Sequence, residues 1–304
     1  MEPGHRAMTP KSKGMTSHIG NPRLVDKRGA RAHLFVGYHM TETVVIEEDR
    51  LVALAGGQNF REVGGYPARD GRVLKRRLIW RSARLDELTS DDIRNESLDA
   101  ISTIADLRLA SERALHPTVP AFAEKRTTLV WDEGDIDLSG DQRLFARDLK
   151  PDDYAEAVRH FYRSLADRHA THLASLYRHI AAGSLPVLIH CSAGKDRTGI
   201  AIALLLDLIG IRREYIIADY CKTAELLDWK RLTASAAAAG MQGKWMERLA
   251  PDALEILMRA DRSYIEAAFR ELEWRHGSIS SFAKDVLGLS DSDLGRLQDN
   301  LLEG

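Results

Sequence analysis

Two residues set the chemistry this chain can do. Cys191 and Arg197 are separated by Ser192, Ala193, Gly194, Lys195 and Asp196. Before them runs Pro186-Val-Leu-Ile-His190, a short apolar stretch that ends abruptly in polar residues, which is how a fully buried strand reads. After them the chain is almost uninterrupted Ile, Ala and Leu as far as Ile209, which predicts a helix opened by Thr198 or Gly199 and closed at Gly210. So short a loop wraps its backbone N–H groups around a point on the helix axis, where the positive end of the dipole favours an anion. Cys191 enters this ring and Arg197 closes it. The helix terminus and the guanidinium both favour thiolate over thiol, and a thiolate inside a phosphate-sized ring of donors is a nucleophile aimed at phosphorus. The bland alternative is an inert buried thiol. A Walker-type nucleotide loop fails on spacing, because Gly194-Lys195 is followed by Asp196 and no glycine stands five residues earlier.

The elements that must position this loop flank it. Arg77–Ser82, Ile101–Leu107 and Arg126–Trp131 read as strands, and 151–183 as a helical pair that starts on Pro151 and ends on Gly183. Thr89-Ser-Asp-Asp has helix-capping chemistry, as do Ser278 and Ser290 near the end. Thr43–Leu54 suggests a hairpin around the acidic Glu47-Glu-Asp49 turn. Residues 212–262 are helical and rich in Ala, Leu and Met. Arg72, Lys75, Arg76, Arg77, Arg81 and Arg84 form the strongest basic cluster, either a steering surface for an anionic substrate or a solvated sheet edge. Asp106-Leu-Arg108, with Glu112 and Arg113 following, lies where open α/β sheets place site residues, although a surface salt-bridge cluster reads the same way.

His190-Cys-Ser-Ala-Gly-Lys-Asp-Arg-Thr-Gly199 resembles the phosphate loop of the cysteine-dependent (Cys-x5-Arg) protein phosphatases. Lys and Asp before the Arg are similar to a bacterial branch of tyrosine/serine phosphatases with activity on phosphoinositides. Asn59-Phe-Arg-Glu-Val-Gly-Gly-Tyr66 and Asp106-Leu-Arg-x-x-x-Glu112 resemble two further elements of that branch, with Glu62 where Asp is more usual. The resemblance runs from about residue 50 to the end. It implies an α/β fold, a tyrosine-phosphatase-like, mostly parallel central sheet flanked by helices, with residues 212–262 as a lid-like helical segment. It implies that Cys191 attacks phosphorus, that Arg197 grips the phosphoryl oxygens, and that residues 192–198 (Ser192, Ala193, Gly194, Lys195, Asp196, Arg197, Thr198) bind phosphate. Thr198 would stabilise the leaving thiolate. Asn59 and Arg61 would brace the loop. Asp196 ranks first as general acid, and Asp106 next, through Lys195 or Asp196. Trp131-Asp132 occupies the place of the Trp-Pro-Asp acid loop of animal enzymes but lacks the Pro. Lys195 would favour lipid or broad specificity.

The rest of the chain bounds the reading. It has 304 residues and a formal charge of −2, which excludes a generally basic nucleic-acid binder. Two cysteines, Cys191 and Cys221, exclude a disulfide framework, although one bridge between them is conceivable, and point to a reducing compartment. Residues 1–40 carry seven Lys/Arg against two acids and read as a disordered basic leader, with the catalytic domain over 41–304. That leader lacks the apolar core of a signal peptide, so a cytoplasmic protein is expected, with secretion by another route left open. No stretch reads as an integral membrane segment, and no metal-ligand cluster or cofactor motif is present. The expected ligands are a phosphorylated protein or phosphoinositide and inorganic phosphate. A silent phosphate-reading module and a redox or sulfur-transfer protein are the competing classes.

Overall fold

The computed structural model describes Val44 and residues 47–131, 150–238 and 251–304. All belong to one compact unit, Thr43–Gly304. The leader, Asp132 and its acidic loop, and Met241, Trp245 and Met246 lie outside the described residues.

In chain order the elements are β1 (Arg61–Glu62), β2 (Val73–Leu74), β3 (Ile79–Ser82), α1 (Ser90–Ile93), α2 (Glu96–Asp99), β4 (Thr103–Asp106), α3 (Ala110–Leu115), α4 (Pro120–Ala123) and β5 (Thr127–Leu129). Then follow α5 (Pro151–Arg168), α6 (Ala170–Ala181), β6 (Val187–His190), α7 (Asp196–Leu208), α8 (Arg213–Leu226), α9 (Trp229–Ala238), α10 (Pro251–Met258), α11 (Arg262–His276), α12 (Ile279–Asp285), α13 (Asp291–Leu301) and β7 (Leu302–Glu303). The main sheet has the order β1-β3-β6-β4-β5, with β1 antiparallel to β3 and the other pairs parallel. Both faces are covered. Ile79, Ala105, Val187 and Ile189 point into the larger core and Trp80, Ile104 and Leu188 into the smaller, the alternation a strand requires.

Register does the positioning. Ser82, His190 and Asp106 stand side by side at the carboxyl ends of β3, β6 and β4, so the chain leaves the sheet at Cys191 with strand ends on either side. Directly beyond lies α7, whose Ile200–Leu206 stretch is buried all round. This helix opens at Asp196, two residues earlier than its apolar run suggests, because the Gly199 amide already donates to the Lys195 carbonyl at 2.8 Å.

Capping follows the sequence elsewhere. Thr89 and Asp92 close a reciprocal box on α1, and Ser278 and Ser290 accept from the third amides of α12 and α13. Gly183 and Gly210 take left-handed φ of 88° and 92°. The first arm of the expected hairpin, 43–46, lies outside the described residues apart from Val44; Glu48–Arg50 is a single 3-10 turn and Leu51 bridges to Arg61. One expectation changes. The basic cluster is largely absorbed internally: Lys75 donates to the Asp299 and Asn300 carbonyls at the end of α13, Arg76 pairs with Glu62 and Asp49, and Arg72 with Asp70.

Candidate active site

The loop after β6 turns its carbonyls outward one after another. The Ser192 carbonyl accepts from the Arg84 amide at 3.1 Å, and the Ala193 and Gly194 carbonyls from Asn59 Nδ2, each at 3.1 Å. Gly194 O also takes Arg81 Nη2 at 2.8 Å, and Lys195 O takes the Gly199 amide. None of the amides from Ser192 to Arg197 finds an acceptor among the described residues. Donors with no internal partner at the start of a helix form an anion nest. Gly194 is indispensable to the bend: its φ is +65°, and a Cβ there would lie 2.3 Å from the Ser82 carbonyl oxygen.

Arg197 is aimed by Glu112, for which the sequence leaves a site element and a surface charge cluster equally open. Glu112, on α3, takes Arg197 Nη2 on Oε1 at 2.8 Å and Nη1 on Oε2, while Nη1 also reaches the Leu107 carbonyl at 3.1 Å. A guanidinium has five N–H bonds. Those contacts occupy both protons of Nη1 and one of Nη2, leaving Nε–H and the other Nη2–H as one free edge, the fork that matches two phosphoryl oxygens. Ser192 Oγ and the Leu109 amide hold Glu112 in turn. Burial alone would raise the Glu112 carboxyl, but the hydrogen bonds and charge of Arg197 outweigh it and push it down to about 2. Burial likewise opposes the charge on Arg197, and Glu112 reverses that and holds its pKa above the usual value, with Cys191 and Asp196 adding to the effect.

Glu112→Gln is therefore expected to lower kcat/KM on an aryl phosphate about 30- to 100-fold, the ~2–3 kcal/mol of a charge-assisted fork. A loss under threefold would remove Glu112 from the site. The pH consequence has a fixed sign. A carboxyl depressed by folding stabilises the fold fully above its unfolded value of about 4.3, and the contribution fades as pH falls towards 2. In acid titrations followed by circular dichroism, Glu112→Gln should sit below wild type at neutral pH and converge with it only as pH falls to about 2 and below.

Cys191 is only 2 % exposed, yet it lines a pocket of about 240 Å³ together with Lys195, Asp196, Arg197, Phe161 and Trp229. Leu257 and Met258, at the end of α10, line the same pocket, so residues of the 212–262 stretch border the loop. Asp196 borders this pocket with Oδ1 bonded to Tyr162 Oη at 2.6 Å and Lys195 Nζ at 3.2 Å. Lys195 is engaged threefold: it also donates to the Leu257 carbonyl at 2.6 Å and lies 5.5 Å from the Trp229 ring centre. Thr198 is fully buried and its hydroxyl has no partner among the described residues.

Asp106 is not brought to the pocket or to Lys195. Arg108 occupies both its oxygens, at 2.8 and 2.6 Å, because the two residues leave β4 on a turn that folds the guanidinium back. Its nearest loop neighbour is His190, at 3.6 Å, whose pKa burial pushes down to about 4, so the imidazole is neutral at pH 7. Cys191 and Cys221 are unbridged. Among the described residues no helix is long and apolar enough to cross a membrane.

Beneath the loop lies a buried charge cluster. Arg61 donates from Nε to Asp219 Oδ1 at 3.1 Å and from Nη2 to the Asp219 carbonyl at 2.7 Å; Arg81 donates from Nη1 to Asp219 Oδ2. Two guanidiniums share one carboxylate, leaving one positive charge under the nest. Arg61 also reaches the Asn59 carbonyl and side-chain oxygen, which turns Asn59 Nδ2 towards the loop.

A parallel sheet delivering a Cys-x5-Arg nest to the start of a buried helix defines the class: a cysteine-dependent phosphate-loop protein. The chain belongs to the tyrosine phosphatase family, whose model matches residues 52–303. It is a phosphatase. It is similar to the triple specificity protein phosphatase PtpB of Mycobacterium tuberculosis, 28 % identical over 281 residues, covering 82 % of this chain and 98 % of the relative. A tyrosine-protein phosphatase of Nostoc commune is 32 % identical over 152 residues, 49 % of each chain. A Cupriavidus necator relative is 26 % identical over 251 residues, 81 % of this chain and 86 % of its own.

Proposed function

We propose that this phosphatase hydrolyses phosphoric monoesters through a cysteinyl-phosphate, with phosphotyrosine in proteins as its main substrate. The observation that carries the reading is the ring of outward-bonded carbonyls around Cys191, closed by an Arg197 with one free edge. Cys191 Sγ, as thiolate, forms the S–P bond while the ester P–O bond breaks, and the inward amides and Arg197 hold the equatorial oxygens as charge builds. Asp196 gives the leaving oxygen its proton, then takes one from the water that cleaves S–P. Thr198, buried with an unbonded hydroxyl, is the donor available to the departing sulfur.

The lining of the pocket supports an aryl ester: Phe161 and Trp229 are among the residues around a volume of about 240 Å³, room for an aryl phosphate. Phosphoserine or phosphothreonine, and phosphoinositides, are the second reading, favoured by the similarity to PtpB, whose name gives it triple specificity, and by Lys195 in the loop. Lys195 would have to leave the Leu257 carbonyl to grip a second phosphate. The unbridged cysteines suit a reducing compartment, and the cytoplasm is the proposed location.

The test is turnover of p-nitrophenyl phosphate and a phosphotyrosine peptide in excess chelator, with acid quench and mass spectrometry of the peptide containing residue 191. Phosphate release in chelator, blocked by orthovanadate, with 80 Da added at Cys191, is expected. Turnover without label at Cys191, or release that chelator abolishes, would overturn the mechanism.

A further inference from the structure

Asp196 needs its transferable proton on the oxygen that faces the substrate, and nothing in the Asp-Arg-Thr sequence decides which oxygen that is. Tyr162, on α5 and fully buried, donates from Oη to Asp196 Oδ1 at 2.6 Å. Lys195 Nζ lies 3.2 Å from the same oxygen. Behind Tyr162 stands Tyr220, on α8, with its Oη 2.6 Å from Tyr162 Oη. An ionised carboxylate can only accept, so the Tyr162 proton points to Asp196 and the Tyr220 proton to Tyr162. The chain of donors has one direction. Tyr220 cannot retreat easily, because its ring abuts the first turn of α7, where a Cβ on Gly199 would come within 2.9 Å of it.

We propose that Tyr162 is a positioning residue for phosphoryl transfer: by holding Oδ1 as an acceptor through the whole cycle, it confines the mobile proton of Asp196 to Oδ2. This rests on the reading of Asp196 as the general acid. Were the proton on Oδ1, Tyr162 would have to accept it and turn its own hydroxyl to Tyr220, whose proton would then have no acceptor among the described residues, while the Lys195 ammonium still faced Oδ1. On Oδ2 it is free to move. As Cys191 Sγ bonds to phosphorus and the ester oxygen departs, that proton goes to the ester oxygen. As water oxygen bonds to phosphorus and S–P breaks, Oδ2 takes a proton back from the water. The other charged groups facing Asp196 are Lys195 and Arg197, both cations and both unchanged when the Tyr162 hydroxyl is removed.

The experiment measures kcat/KM of Tyr162→Phe, Asp196→Asn and the double variant on phenyl phosphate, a poor leaving group, and on 2,4-dinitrophenyl phosphate, which needs no acid, with Tm recorded for each. Asp196→Asn is expected to lose about 100-fold on phenyl phosphate and under about threefold on the dinitrophenyl ester. Tyr162→Phe is expected to lose about tenfold on phenyl phosphate alone, and to change the Asp196→Asn protein by less than about twofold, the non-additivity of groups acting through one another. Equal losses on both esters, or additive losses in the double variant, would reduce Tyr162 to packing and overturn the proposal. If Asp196→Asn itself shows no leaving-group dependence, the acid assignment fails first and is recognised separately. Tyr220→Phe removes only the donor behind Tyr162 and is the second variant should Tyr162→Phe not fold: a loss of about threefold confined to phenyl phosphate supports the chain of donors, and a uniform loss overturns it.

Discussion

A Cys191→Ser protein is expected to hold phosphate and release none. Serine is nearly isosteric with cysteine, so the packing around position 191 should survive, and Tm should stay within a few degrees. The nucleophile does not survive. A hydroxyl oxygen is a far weaker nucleophile towards phosphorus than a cysteine sulfur, so turnover of an aryl phosphate should fall by at least about 10⁴-fold. Binding should move the other way. A neutral serine hydroxyl offers the incoming phosphate dianion the nest, the free edge of Arg197 and the net positive charge of Arg61, Arg81 and Asp219 without adding a negative charge of its own. Titration calorimetry with a phosphotyrosine peptide should give an affinity equal to or above that of wild type. Residual turnover above one part in a thousand would make Cys191 dispensable. Lost turnover together with lost binding would mean the substitution had collapsed the loop. The silent-module alternative separates here too, since a phosphate reader would bind before and after substitution and never turn over.

How much of this arrangement was legible in the sequence depended on distance along the chain. The Cys191–Arg197 spacing, the strand before it and the buried helix after it are local, and the pattern alone located them. The Asn59 brace was legible only through resemblance, since an Asn 134 residues from the loop carbonyl it binds carries no local signal. For Glu112 a site element and a surface salt-bridge cluster stayed equally open, because four charges in eight residues look alike on paper. Leu109 heads α3, which turns Glu112 back towards the loop, while Asp106 and Arg108 satisfy each other. The Asp-Leu-Arg-x-x-x-Glu spacing was the available clue. The basic run from Arg72 to Arg77 read as a surface because the carbonyls at the end of α13, which capture Lys75, lie more than 220 residues away. Asp219 and Tyr220 were legible only through the resemblance of Ala218-Asp-Tyr220 to the family, which names no partners, and Tyr162 had no signal beyond ordinary helical spacing; polar groups inside apolar helices acquire partners only when the helices pack.

Asp219→Asn should produce the largest loss of stability of any single change near the site. Arg61 and Arg81 are both completely buried, and the one carboxylate between them is the only acidic group bonded to either among the described residues. Burial alone would raise Asp219, but the two guanidiniums outweigh it and hold its pKa below the usual carboxylate range. Arg61 is already pushed down to about 10, first by burial and then by Arg81. An amide in place of the carboxylate keeps the shape and removes the charge, leaving two buried cations facing each other. Removing one partner of a buried ion pair costs about 3–5 kcal/mol, a large fraction of the ~5–15 kcal/mol that holds a typical domain folded. The expected fall in Tm is about 10 °C or more. Because folding depresses the Asp219 pKa, its stabilisation is complete above about pH 4 and is lost as pH falls further, so wild type and variant should converge in acid. Function should follow structure through two bonds: Arg81 holds the Gly194 carbonyl and Arg61 holds Asn59, which holds Ala193 and Gly194. Freed of Asp219, both arginines shift towards water, the loop carbonyls lose their outward partners, and the amides no longer converge. Phosphate affinity measured below the melting range should drop about tenfold. A variant that melts within 3 °C of wild type at pH 7 would show that the cations find another anion or water, and the nest would then owe its shape to Asn59 and Gly194 alone.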